Sequence, residues 1–98
     1  MSAKFVVFHP DAVQEAQAAL GWYRQRSTLA AEAFLQELDG AIEQIVAAPD
    51  RWPSYDFHTR RFLLRRFPYL VVYRETSQTI QVIAVAHGRR RPGYWRDR

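Results

Sequence analysis

The chain has 98 residues, 48% apolar and 14% aromatic, with a formal net charge of +4 and no cysteine. That length suits one domain with a thin core, and the absence of thiols excludes disulfide staples and thiolate metal centres. No apolar run is long enough to span a bilayer. Met1 to Pro10 carries one lysine and no long apolar stretch, unlike a secretory leader, so a soluble cytoplasmic protein is expected.

Lys4 to Phe8, with its Phe-Val-Val-Phe run, reads as a short buried strand. Pro10 and Asp11 then open a helix, since proline is tolerated in the first turn and aspartate suits it. Val13, Ala16, Leu20 and Tyr23 lie on one face of that helix, which runs to about Arg26. Ser27 or Thr28 caps a second helix with Glu32 in its first turn. Its apolar stripe is Phe34, Leu38, Ala41, Ile42 and Ile45, and Pro49 ends it. The short connection makes the two helices an antiparallel hairpin.

Residues 49–57, with two prolines and three aromatics, read as a loop. Three strands follow, at roughly His58–Arg66, Tyr69–Glu75 and Thr79–His87, broken by Pro68 and by Thr76-Ser77-Gln78. The runs Leu70-Val71-Val72-Tyr73 and Ile80 to Val85 are rich in β-branched residues, as strands buried on at least one face should be. With no repeat or linker, residues 1–98 form one α+β domain of order β-α-α-β-β-β. The helical hairpin packs on a mainly antiparallel four-stranded sheet.

Charge is unevenly spread. Residues 1–57 hold four basic side chains against eight acidic ones, whereas residues 58–98 hold ten arginines against Glu75 and Asp97. Arginine presents a planar fork of donors suited to phosphate or carboxylate. A field of this sign attracts an anionic partner, nucleic acid or acidic protein; the plainer reading is a solubilising surface.

Several strings resemble the RelE/ParE superfamily, in particular the ParE-like "plasmid stabilisation" toxins. They are Phe67-Pro68-Tyr69-Leu70-Val71-Val72-Tyr73, Ile83-Ala84-Val85-Ala86-His87 and the final Arg89-Arg90-Arg91-Pro92-Gly93-Tyr94-Trp95-Arg96-Asp97-Arg98. Phe8-His9-Pro10-Asp11-Ala12, Trp22-Tyr23 and Pro49 with Trp52-Pro53 extend the likeness over nearly the whole chain. The resemblance implies the fold order read above. It also implies the toxin of a type II toxin–antitoxin system, neutralised by a cognate, often acidic antitoxin encoded beside it. It leaves two targets open: DNA gyrase for ParE-like members, or ribosome-bound mRNA for RelE-like endoribonucleases. A third reading is a non-toxic module that keeps only antitoxin binding.

A ribonuclease of this kind needs a proton acceptor, a proton donor and cations around the phosphorane. His87, Tyr94, Arg65 and Arg90 are the residues offered for those roles, with His58 as an outlier. RelE-type enzymes carry lysines on the central basic strand, and this chain has none after Lys4. For a toxin that acts by binding, the contact set is Arg65, Arg66, Arg89, Arg90, Arg91, Tyr94, Trp95 and Arg98. The bland alternatives are a hydrogen-bonded structural His87, packing roles for Tyr94 and Trp95, and a solvated run at Arg89 to Arg91. Glu15 and Glu43 have no His or Asp at ligand spacing, so no metal is expected. The four glycines are isolated and make no phosphate loop, so no cofactor is expected and no membrane partner either.

Overall fold

The computed structural model describes residues 4–98. Its elements are β1 (Phe5–Phe8), α1 (Pro10–Arg26), α2 (Thr28–Ala47), β2 (Ser54–Tyr55), β3 (Thr59–Leu63), β4 (Tyr69–Glu75) and β5 (Thr79–His87). The order is the expected one, with one addition. The sheet has five strands rather than four, in the order β1-β5-β4-β3-β2. The extra strand, β2, is two residues pairing antiparallel to β3 inside the stretch read as loop. Pro53 precedes it and the chain turns immediately after it, so no period-two pattern had room to appear.

Local chemistry sets the helix ends. The His9 ring accepts the Asp11 amide at the start of α1. Ser27 alone separates the helices; its amide donates to the Tyr23 carbonyl and its hydroxyl accepts the Ala30 amide. That hydroxyl is the cap of α2, and Glu32 lies beyond the first turn rather than in it. Along α2 the buried residues are Ala31, Phe34, Leu38, Ala41 and Ile45, the expected stripe with Ile42 at its margin. On α1 the buried positions are Ala12 and Ala19, flanked by Ala16, Leu20 and Tyr23, whereas Val13 is partly exposed. Small residues there let α1 approach the sheet closely. Tyr23, Phe34, Phe67 and Tyr69 interlock edge-on and stacked between hairpin and sheet.

β1 corrects the expectation of a buried strand. It lies at the sheet edge, parallel to β5, with Val6 and Phe8 on the core while Phe5 and Val7 are 77% and 48% exposed. β3, β4 and β5 form the antiparallel meander. β3 is shorter than expected because the chain leaves the ladder after Leu63 to turn toward Pro68.

Both faces of β4 and β5 are covered. Val71, Tyr73, Ile80, Val82 and Val85 face the helices; Leu70, Val72, Ile83, Ala84 and Ala86 face the other way. A bulge produces this pattern on β5. Tyr73 pairs with Val82 and Val72 with Ala84, leaving Ile83 as the extra residue and shifting the phase of every side chain after it. The far face is closed by the segment after β5, where Trp95 is 1% exposed and stacks on Tyr55 at 5.2 Å. Gly93 reaches φ 91° at the close approach of the β2–β3 turn, and a β-carbon there would meet the Phe57 ring at 2.6 Å.

Candidate functional site

β1 stops at Phe8, with the His9 amide donating to the Val82 carbonyl as the last ladder bond. The remaining edge of β5 therefore lacks a strand, and buried backbone groups must find other partners. Side chains supply them. Glu15 of α1 accepts the Val85 amide at 3.0 Å, and Arg98 donates to the Ile83 carbonyl at 3.2 Å.

Those two side chains also meet each other. Arg98 Nη1 lies 2.9 Å from Glu15 Oε1 and Nη2 lies 3.0 Å from Oε2, a two-point fork, with Asp11 3.6 Å from Nε. The Tyr94 hydroxyl donates to Glu15 Oε2 at 2.8 Å, and Arg90 Nη1 approaches the same oxygen at 3.4 Å. Glu15 and Arg98 are each only 15% exposed, so this is a partly dry network. Burial pushes the Tyr94 hydroxyl far up, and its hydrogen bond to Glu15 and that carboxylate's charge add to the rise. Tyr94 thus keeps its proton and presents it to Glu15.

The residues expected to bind or react divide accordingly. Trp95 is core, and Arg98 is held by carboxylates. Arg89, Arg90 and Arg91 are exposed; the Arg90 guanidinium lies 3.6 Å over the Tyr94 ring. Arg89 and Arg91 have no carboxylate within 4 Å among the described residues. His87 packs edge-on against Tyr69 at 5.1 Å, and its Nδ1 accepts the Arg89 amide. In the neutral ring that leaves the proton on Nε2. His87 and Arg90 line one cavity of about 480 Å³, walled by Glu15, Trp22, Tyr23 and Tyr69.

Arg65 and Arg66 stand elsewhere, at the β3–β4 turn. Their backbone amides donate to Glu37 of α2, and Arg66 Nε adds a 3.0 Å bond to that carboxylate. Burial alone would raise the Glu37 carboxyl, but the bonds from Arg66 and from both amides hold it below the usual range. Arg65 lines a separate cavity with Glu37, Gln44 and Trp52. Of the four residues offered for a ribonuclease, His87 and Arg90 therefore share a cavity. Tyr94 reaches its wall through Glu15, and Arg65 lines a different cavity. His58 sits at the β2–β3 turn, exposed, with φ 60°. Among the described residues no group of three or more His, Cys, Asp or Glu is placed to hold a metal, and no helix is long and apolar enough to cross a membrane.

The model of the ParE toxin of the type II toxin–antitoxin system parDE matches residues 6–92. The chain belongs to the ParE toxin family. Toxin ParE2 of Mycobacterium tuberculosis, in strains CDC 1551 / Oshkosh and H37Rv, is 36% identical over 55 residues, 56% of this chain. The chain spans about half, 52%, of the length of these curated relatives. A solved structure described as a chromosomal ParDE TA system from P. aeruginosa contains a similar chain. Its TM-score is 0.70 at 16% identity, covering 87% of this chain and 96% of that one, which shows a shared fold.

The family match ends at Pro92, so Tyr94, Trp95 and Arg98, which clasp Glu15 and the far face of this ParE-family sheet, lie beyond it. Glu15 is the residue at the centre of this network that sequence reasoning missed. Its partners are 70 to 83 positions away, and no local spacing rule connects them.

Proposed function

We propose that this chain is the toxin of a toxin–antitoxin pair, held by a cognate acidic antitoxin in the cytoplasm. We propose further that it arrests growth by binding DNA gyrase rather than by chemistry of its own. The observation that carries the reading is the Glu15 clasp. It ties Arg90, Tyr94 and Arg98 to α1 and leaves Arg89 and Arg91 exposed, with no carboxylate partner beside them among the described residues. A pre-ordered cationic rim beside an aromatic ring loses little entropy when it binds. The same clasp argues against chemistry, because Tyr94 is committed to donating its proton to Glu15. An antitoxin segment that folds on binding needs a large apolar contact to offset its ordering. The exposed side chains of Val13 and Leu35, beside Leu20 in a groove between the helices, offer such a contact.

Two assays on one induced culture test this. Gyrase supercoiling is expected to fall, and primer extension on mRNA is expected to show no new ends. Co-expression with the adjacent gene is expected to restore growth and to yield a co-purifying pair. The cavity shared by His87 and Arg90 favours ribonuclease as the second reading. Cleavage inside translated codons, abolished by His87→Ala, would replace the gyrase proposal with it. Unchanged growth with a co-purifying partner would leave only the antitoxin-binding module.

A further inference from the structure

β1 ends the sheet on one side, and the phase of its ladder decides what that edge offers. In a parallel pair a residue sends its amide and its carbonyl to the same side, and the next residue sends both to the other. The Phe5 amide donates to the Gln78 carbonyl and the His9 amide to the Val82 carbonyl. Residues 5, 7 and 9 therefore face β5, with Phe5 registered on Thr79 and Val7 on Gln81. The amides and carbonyls of Val6 and Phe8 point outward, where the sheet has no further strand among the described residues.

Edge strands usually carry a charge, a proline or a bulge that turns other strands away. β1 carries none of these: its sequence is Phe-Val-Val-Phe and its register with β5 is unbroken. The charge beside it, Lys4, is turned inward and bonded to Glu75 and to the Thr76 carbonyl, both at 2.6 Å. Phe5 and Val7, on the face away from the helices, are the exposed side chains of the strand. Beside Val7 that face holds a crevice of about 320 Å³, lined also by His9, Gln81, Ile83 and Arg98.

A strand that adds to this edge must offer backbone groups to Val6 and Phe8 and apolar side chains to Phe5 and Val7. A second copy of β1, antiparallel and centred on Val6, meets both conditions. Val6 then exchanges two backbone bonds with Val6 of the second copy, and Phe8 pairs with its Lys4. Phe5 stands directly across from Val7 of the second copy, and the reverse, at positions without ladder bonds, where side chains approach closest. Each Phe5 ring comes to the mouth of the other copy's crevice. That space is sufficient, since a cavity of about 150 Å³ takes up benzene. Lys4 meets Phe8 rather than a second Lys4, so no like charges are opposed. Shifting the pairing by one residue would set outward backbone groups against inward ones, and centring it on Val7 would set Phe5 against His9.

We propose that the β1 edge is a self-association site, at which two copies of this chain join their five-stranded sheets into one of ten strands. The contact needs neither the antitoxin nor gyrase, so it stands or falls independently of the toxin reading.

The chain's lack of cysteine makes the register itself testable. Phe5→Cys and Val7→Cys chains are purified, mixed and oxidised. Directly opposed cysteines lie within disulfide reach, whereas two copies of position 5 are offset along the strands and do not. A cross-linked dimer is therefore expected in the mixture and not in either variant alone. An interface this small falls below about 1,200 Å² in total. In sedimentation velocity from about 1 to about 200 μM, wild type is expected to pass from monomer to dimer with a Kd on the order of 10 μM. Phe5→Lys is expected to weaken the dimer at least roughly tenfold. Leu29→Lys, the same change at an equally exposed position on α2, is expected to stay within about twofold of wild type. Amide hydrogen exchange is expected to slow with concentration at Val6 and Phe8 more than at Val7. A monomer throughout that range overturns the proposal. Equal weakening by Leu29→Lys overturns it, and so does cross-linking that each cysteine variant achieves alone as readily as the mixture. Protection of Val6 and Phe8 only when the product of the adjacent gene is bound overturns it too, and gives the edge to that partner.

Discussion

Replacing Glu15 with alanine removes one carboxylate and unmoors four partners at once, Arg90 at 3.4 Å being the loosest. The Val85 amide at 3.0 Å, the Tyr94 hydroxyl at 2.8 Å and the two-point contact with Arg98 all lose their acceptor. A buried donor left without a partner costs about 1–3 kcal/mol, and breaking a buried ion pair from one side costs about 3–5 kcal/mol. Two features reduce the total. Arg98 keeps the Ile83 carbonyl and Asp11, and the segment carrying Tyr94 can lift toward water. A net loss of about 3 kcal/mol is expected, which in a domain this small lowers the melting temperature by roughly 15 °C. Urea unfolding followed by tryptophan fluorescence at neutral pH measures it. The Glu15→Ala, Arg98→Met double-mutant cycle isolates the pair, with an expected coupling of about 1 kcal/mol or more. A loss under about 1 kcal/mol for Glu15→Ala, or a coupling near zero, would refute the view that this carboxylate organises the edge of β5.

Gly93→Ala is expected to destabilise by about 1–2 kcal/mol in urea titrations through its positive φ. The loss should persist in a Phe57→Ala background, where the 2.6 Å clash is gone but the backbone angle is not. Burial pushes the Tyr73 hydroxyl up from 10 to about 12. The folded state then holds this proton more tightly than the unfolded state, so its contribution is complete below pH 10 and is lost as pH rises to about 12. Tyr73→Phe should flatten that alkaline limb in stability measured against pH, and an unchanged limb would remove Tyr73 as its source. Arg90→Ala and Arg91→Ala are expected to relieve growth inhibition more than Arg24→Ala at matched protein levels. Equal toxicity of all three would detach the basic rim from function.

Element positions were legible wherever one chemical signal dominated. The interior of α2 follows a stripe of large apolar residues, and β4 and β5 follow β-branched runs bounded by proline and polar turns, so both strands begin and end where expected. β2 was hidden because two paired residues in a proline-flanked turn carry no periodicity. The apolar run of β1 suggested full burial, but an edge strand needs only one covered face, and Phe5 and Val7 occupy the other. The candidate site was readable as a list of arginines and aromatics and unreadable as geometry. Trp95 counted among contact residues and is core, because an aromatic in a basic string looks alike whether it faces a partner or a sheet. Glu15 was considered only for metal binding, since its true partners lie far along the chain.

The parallel pairing of β1 with β5 puts a clock on assembly. Translation delivers β1 and both helices before β5, the strand with which β1 pairs. Arg98 follows Glu15 by 83 positions, which at the usual pace of synthesis is a wait on the order of ten seconds. Until β4 and β5 have followed, Val6, Phe8 and the inner faces of the helices have no complete sheet to cover them. Closing so long a loop is also slow in itself, because its entropy must be surrendered before any contact is gained. The nascent chain therefore offers chaperones and ready-made partners an apolar surface well before the arginine rim exists. A partner present at the ribosome meets the protein before the segment that carries those arginines has formed.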